Sequence, residues 1–186
     1  MFTPSLPSHN WLLSCQMSAG RVNAEQGIAL QSSEEGMPPS GLPLVAELAL
    51  VEVVTQLSRD DAFIHPGNES ILDAISLSGD CHLGVLHAVG EDRVYQLLDQ
   101  VRTQVFDKAN QPVNHLLVSL SAAEDLGVEE FEQLGQGLDE LMATSLANNT
   151  LKLGLYFDDS LPEQAMVMHL MARSSPDAPS NTGLIA

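Results

Sequence analysis

Leu151-Lys152-Leu153-Gly154-Leu155-Tyr156-Phe157 is the stretch whose reading decides the fold. Leu151, Leu153, Leu155 and Phe157 alternate with Lys152, Gly154 and Tyr156, a period of two that marks a strand with one face toward a core. Asp158-Asp159-Ser160-Leu161-Pro162 then turns the chain, and a final strand is expected from Ala165 to Ala172. Upstream the period changes. Val128, Phe131, Leu134, Leu138, Leu141 and Met142 recur at helical spacing, with Gly135 and Gly137 read as points of close packing against the sheet. Leu116 to Leu120 and His82 to Val89 are short apolar runs, expected as strands. Between them Gly90-Glu91-Asp92 opens a helix carrying Val94, Leu97, Leu98, Val101 and Val105, with its acids placed to suit the helix dipole.

Further back, Leu44, Val45, Leu48, Val51, Val54 and Leu57 form a helical stripe that Leu50 and Val53 widen, which predicts a helix buried on most sides. Asn68 is expected to cap a short helix with Ile71, Leu72 and Ile75. The order helix, helix, β-α-β-α-β-β predicts an α/β (α+β) domain, a two-layer sandwich with a four-stranded mixed sheet and packed helices. The domain is expected over residues 44–173. Residues 1–43, rich in Ser, Pro, Gly and Gln, are expected to be an irregular or disordered arm, and 174–186 a disordered tail.

Composition narrows the function. Twenty-five acids against 7 bases give a formal charge of −18, which leaves no basic face for nucleic acid or for an anionic membrane surface. Apolar residues are 44% of the chain and aromatics 4%, so the core must be aliphatic. Leu12-Leu13-Ser14-Cys15 faintly resembles a lipoprotein cleavage box, but its apolar run is shorter than the roughly 7–15 residues a signal peptide uses. The expected location is cytoplasmic. Cys15 and Cys81 make no disulfide framework.

No phosphate loop, dinucleotide-binding turn, zinc-protease helix or nucleophile elbow occurs. The six histidines are scattered, and His82 and His87 point to opposite faces of one strand, so they cannot share a metal. The acid pairs Glu129-Glu130 and Asp158-Asp159 sit at a helix start and in a turn. From the residues alone, no catalytic group, cofactor site or metal site is expected.

Several segments resemble the second half of FtsZ, the bacterial tubulin homologue and cytoskeletal GTPase of cell division. They are Gly84 with Gly90-Glu91-Asp92-Arg93; Leu117-Val118-Ser119-Leu120 with Glu124-Asp125-Leu126; Val128 to Gly135; and Leu153-Gly154 with Asp158-Asp159 and Met166 to Arg173, similar to that family's closing hairpin. The resemblance implies a C-terminal-domain-like fold with Leu44 to Leu57 as the central helix. In that family an N-terminal domain with a glycine-rich loop holds the nucleotide. Only 43 residues precede the helix here, so autonomous GTP hydrolysis is not expected.

The family's catalytic loop, Asn-x-Asp-x-x-Asp, enters the next subunit's nucleotide site. Its nearest match is Asn68-Glu69-Ser70-Ile71-Leu72-Asp73, where Ser70 stands at the middle position and cannot supply the carboxylate's charge. Asn68, Ser70 and Asp73 are therefore the expected remnant of an interaction loop. The implied role is a non-catalytic accessory of the division filament, with the FtsZ filament or FtsZ-binding proteins as partners. The alternatives are a repurposed domain with an unrelated partner, a homo-oligomer, or a small-molecule enzyme.

Overall fold

The computed structural model describes residues 10–18, 21–23, 29–32, 42–143 and 149–174. Strands β1 (Trp11–Ser18), β2 (Arg21–Asn23) and β3 (Ala29–Ser32) come first, then helices α1 (Leu42–Leu57) and α2 (Asn68–Ser76). Strand β4 (Gly79–Val89), α3 (Arg93–Val101) with a π turn over Arg102–Phe106, β5 (His115–Ala122), α4 (Val128–Ala143), β6 (Thr150–Phe157) and β7 (Ala165–Ser174) follow.

The sheet runs β2-β1-β4-β7-β5-β6, with β3 also pairing β1. Among the described residues β5 and β6 pair in parallel, and the other pairs are antiparallel. The expected four strands are present as the mixed core β4-β7-β5-β6. Two details differ from expectation. The closing pair is not a hairpin: β7 passes over β5 and inserts between β4 and β5, so β6 and β7 never touch. Helices also cover both faces of the sheet, making three layers.

The arm expected over 1–43 is not irregular throughout. Trp11–Ser18 is a strand paired along β4, from Trp11 opposite Val85 to Met17 opposite Gly79. Leu12, Leu13, Cys15 and Met17 are buried in it. Asn10 ties its start down: Oδ1 accepts the His87 amide at 2.7 Å and Nδ2 donates to Gln100 at 2.6 Å. Residues 1–9 and 175–186 lie outside the described residues.

Alternation along the strands divides the core in two. Leu12, Leu86, Ala88, Leu116, Val118, Leu120, Met166, Met168 and Leu170 face α3 and α4. Leu13, Cys15, Cys81, Leu83, Leu117 and Met171 face α1 and α2. Every residue of β7 is buried, as a strand covered on both faces and paired on both edges must be. Gly137 is a close-packing point, but against a helix: an added Cβ would sit 2.5 Å from Leu98 of α3. Gly135 has no such contact, its nearest neighbour being Leu153 at 3.9 Å.

One end of the domain is fastened by Arg93. Buried at the start of α3, it donates to Glu130 at 2.8 and 2.7 Å and to both oxygens of Asp125 at 3.2 Å. Asp125 also accepts the Gln164 amide at 2.8 Å, so one guanidinium links the starts of α3 and α4 and the β6–β7 turn. Glu91 and Asp92 lie just before α3 rather than in its first turn, and Asp92 makes no side-chain cap bond.

The Arg93 hydrogen bonds, set against a smaller cost of burial, hold the Glu130 carboxyl below its usual value of 4.5. A carboxylate depressed in the fold stabilises above its unfolded pKa and loses that contribution as pH falls through the folded one. Arg93→Met is expected to lower stability by about 2–3 kcal/mol, less than the ~3–5 for breaking a wholly buried pair, since water still reaches both carboxylates. Urea denaturation at pH 7 should show the full gap between the two proteins, and below about pH 4.5 the gap should shrink.

Candidate functional site

The residues expected to form an interaction loop lie at the start of α2. Gly67 precedes the helix with φ of 93°, a left-handed conformation that a side chain would strain. Its amide donates to His65 Nδ1 at 2.9 Å. Asn68 is the first helical residue and makes no side-chain cap, so the expected cap is replaced by this glycine turn. Asn68 and Asp73 are exposed and Ser70 is half-buried.

On a helix, positions 68 and 73 lie about 140° apart and 70 and 73 about 60° apart. Ser70 and Asp73 therefore share a side and Asn68 points elsewhere. The three do not converge on one point, and they can offer hydrogen bonds to a partner's surface but not a pocket for one reacting atom.

The segment leading into α2 is held against the sheet edge. Phe63 and Ile64 donate to Leu155 at 2.8 and 3.2 Å, and Leu155 donates back to Ile64 at 2.8 Å. Gly154 makes this approach feasible, because a Cβ there would lie 2.8 Å from Pro66. Tyr156 donates to the Arg59 carbonyl at 3.0 Å, under the Arg59 guanidinium 4.5 Å from the ring centre. The position of α2 is thus tied to β6.

Helix α1 is less covered than its sequence predicts. Ala49, Val53 and Leu57 are buried against the sheet, while Leu48 and Val51 are 59% and 62% exposed. Its apolar girth exceeds what this domain's core uses. Pro43 sits in the first turn, where a missing N–H costs nothing.

Between α1 and the sheet lies a polar row that sequence reading missed. Alternation puts His87 of β4, His169 of β7 and Ser119 of β5 on this face, with Ser119 directly opposite His169. Glu52 of α1 reaches to 4.0 Å from His169 Nε2. Both His87 ring nitrogens, His169 Nδ1 and Ser119 Oγ make no hydrogen bond among the described residues. The only sequence signal was strand parity, which gives the face but not the neighbour. Burial raises the Glu52 carboxyl above its usual value. His82 is on the opposite face, bonded to Ser14 Oγ at 2.7 Å. Among the described residues no group of three or more His, Cys, Asp or Glu could hold a metal ion, and no helix is long and apolar enough to cross a membrane.

No family model and no curated protein matches the chain. Solved structures do. It superposes on a W319Y mutant of FtsZ from M. jannaschii with a TM-score of 0.57 and 17% identity, covering 77% of this chain and 43% of that one. An empty FtsZ dimer from the same organism gives 0.56 and 17%, covering 74% and 40%. The chain spans less than half the length of these FtsZ structures, and the likeness is one of fold.

The buried polar row makes stability pH-dependent. Burial first, then the nearby His87 and Arg59, push His169 down from 6.5 to about 4. Its imidazole stays neutral in the fold, so the unfolded chain binds the extra proton and stability falls as pH drops from about 6.5 toward 4. His169→Gln is expected to remove on the order of 2–3 kcal/mol of the stability difference between pH 7.5 and 4.5. Urea midpoints at the two pH values check it; burial lowers His82, His87 and His115 as well, so a residual slope remains.

Proposed function

We propose that this chain is a non-catalytic, FtsZ-like interaction domain acting on the division filament, where it caps an end or competes at the interface of the filament's C-terminal domains. The outward apolar face of α1 carries this reading: Leu48 and Val51 stand exposed on a helix that buries Ala49, Val53 and Leu57 against the sheet. The FtsZ-like fold supports it, since a domain resembling half of a head-to-tail subunit can join a filament at one kind of end and offer nothing for the next. The residues before α1 point the same way. Trp11–Ser18 joins the domain's own sheet and contributes to its core instead of to a nucleotide fold. On this reading the chain binds no GTP by itself, and α2's exposed Asn68 and Asp73 extend the contact surface.

The Phe63–Phe157 pair favours a second reading, self-association. The two rings meet edge to face at 5.5 Å, and Phe63 is largely exposed beside the β6 edge. That reading requires a dimer in the absence of any filament.

Co-sedimentation with the host's FtsZ and GTP tests the proposal. The chain should pellet at low stoichiometry and slow both GTP turnover and end growth. Leu48→Glu with Val51→Glu, which touches no core position, should weaken co-pelleting at least tenfold, and Asn68→Ala with Asp73→Ala by a smaller factor. A partner filament that is itself acidic repels a chain of charge −18, so binding should tighten as salt rises toward physiological strength, where charges beyond about 8 Å are screened. Sedimentation, turnover and growth that stay unchanged at excess chain contradict the proposal.

A further inference from the structure

Cys15 and Cys81 are far apart in the chain but directly opposite one another in the β1–β4 ladder. Directly opposed residues of an antiparallel pair have Cα atoms about 4.5 or 5.5 Å apart, depending on ladder position, and both values fall inside the roughly 4.4–6.8 Å window of a disulfide. Both side chains belong to the face toward α1 and α2, and both are free thiols, buried from water. The backbone therefore already holds the two side chains on one side of one sheet, at a strand spacing from which a disulfide can close.

A third residue gives the pair its chemistry. Arg173 of β7 is the neighbour of Cys81 on its other side and is completely buried. A guanidinium cannot shed its proton. Arg173 donates to the Leu77 carbonyl, which is neutral, and no carboxylate among the described residues forms an ion pair with it. A buried cation without a counter-charge is costly, and a thiolate at Cys81 relieves that cost. Burial opposes a Cys81 thiolate, yet the hydrogen bond with Cys15 and the charge of Arg173 outweigh it and bring the pKa below an ordinary thiol's. Cys15 moves the other way, raised by its bond to Cys81 and by burial. The guanidinium of Arg173 beside Cys81 thus favours the thiolate there, which makes Cys81 the nucleophile and Cys15 the proton-bearing partner.

We propose that Cys15 and Cys81 form a reversible cross-strand disulfide, with a peroxide as oxidant. The Cys81 thiolate attacks one oxygen of hydrogen peroxide, the O–O bond breaks, and the second oxygen leaves as hydroxide, which takes a proton to become water. The Cys81 sulfenic acid is then attacked by the Cys15 sulfur. The S–S bond forms, the S–O bond breaks, and the sulfenic oxygen leaves as a second water with the Cys15 proton. Two thiols and one peroxide become one disulfide and two waters, and a dithiol reverses the change. In the reduced state β1 is held to β4 by the ladder, by packing and by the Asn10 and Ser14 side-chain hydrogen bonds; in the oxidised state it is locked there covalently, and with it the loop that carries α1 and α2.

The full chain exposed to hydrogen peroxide tests this, read by intact mass, thiol titration after denaturation, and thermal unfolding. Both thiols should disappear together in a monomer whose mass falls by two hydrogens, apart from any oxygen added at methionine, and dithiothreitol should restore them. The melting temperature of the oxidised form should rise by about 10 °C, because the bridge closes a long loop. In Cys15→Ser, Cys81 should instead gain a single oxygen as a sulfenic acid, read by intact mass and removed by dithiothreitol. In Cys81→Ser, Cys15 should stay a thiol under the same exposure. Retention of both thiols in the wild type, cross-linking between molecules, or irreversible oxidation of each cysteine without loss of hydrogen would each overturn the proposal.

Discussion

Burial of β7 on both faces and both edges is the constraint on which the structure depends. Ala165–Ser174 lies between β4 and β5 and is buried along its whole length. Its even positions, Met166, Met168 and Leu170, complete the core under α3 and α4, and Met171 completes the one under α1 and α2. A strand in that position must be apolar on both sides. Of its three polar residues, Ser174 at the strand's end donates to the Gln111 carbonyl at 3.1 Å, while His169 and Arg173 fall on the α1–α2 face, and each shapes what surrounds it. His169 must stay neutral, and Arg173 must find a partner with negative character. The chemistry of this domain is therefore concentrated on one side of its central strand.

The opposite side is plainer, and its polar contacts serve geometry. Arg93, Asp125 and Glu130 lock the loops at one end of the sheet, fixing α3 and α4 against it. The contrast bears on function. The α3–α4 side has a filled core and a satisfied ion network, whereas the α1–α2 side has exposed leucine and valine on a packed helix and a polar row beneath it. In the proposed role that side meets a partner, and the partner supplies the apolar cover that this domain lacks.

Much of the fold was legible because its signals are local. The alternation of Leu151 to Phe157 and the helical spacing of Val128 to Met142 each encode their own element within one short window. Strand order is not local: nothing near Asp158-Asp159-Ser160 says that the next strand crosses β5 instead of pairing with β6. β1 was missed for a similar reason. Leu13, Cys15 and Met17 do alternate, but the run is set among Ser, Pro and Gly, and its partner is β4, beyond two helices. The same distance hid the cysteine pair and the polar row, whose members meet only through register. For α1 the apolar stripe was read correctly, and its breadth was misread as burial when part of it is surplus. At Asn68 a good capping residue lost to Gly67, whose positive φ and contact with His65 turn the chain instead.

In the proposed role the chain works by contact and binds no nucleotide by itself. Calorimetric titration of the isolated chain with GTP and magnesium tests this most directly. No saturable heat at millimolar nucleotide is the predicted result; a one-to-one isotherm in the micromolar range would contradict it.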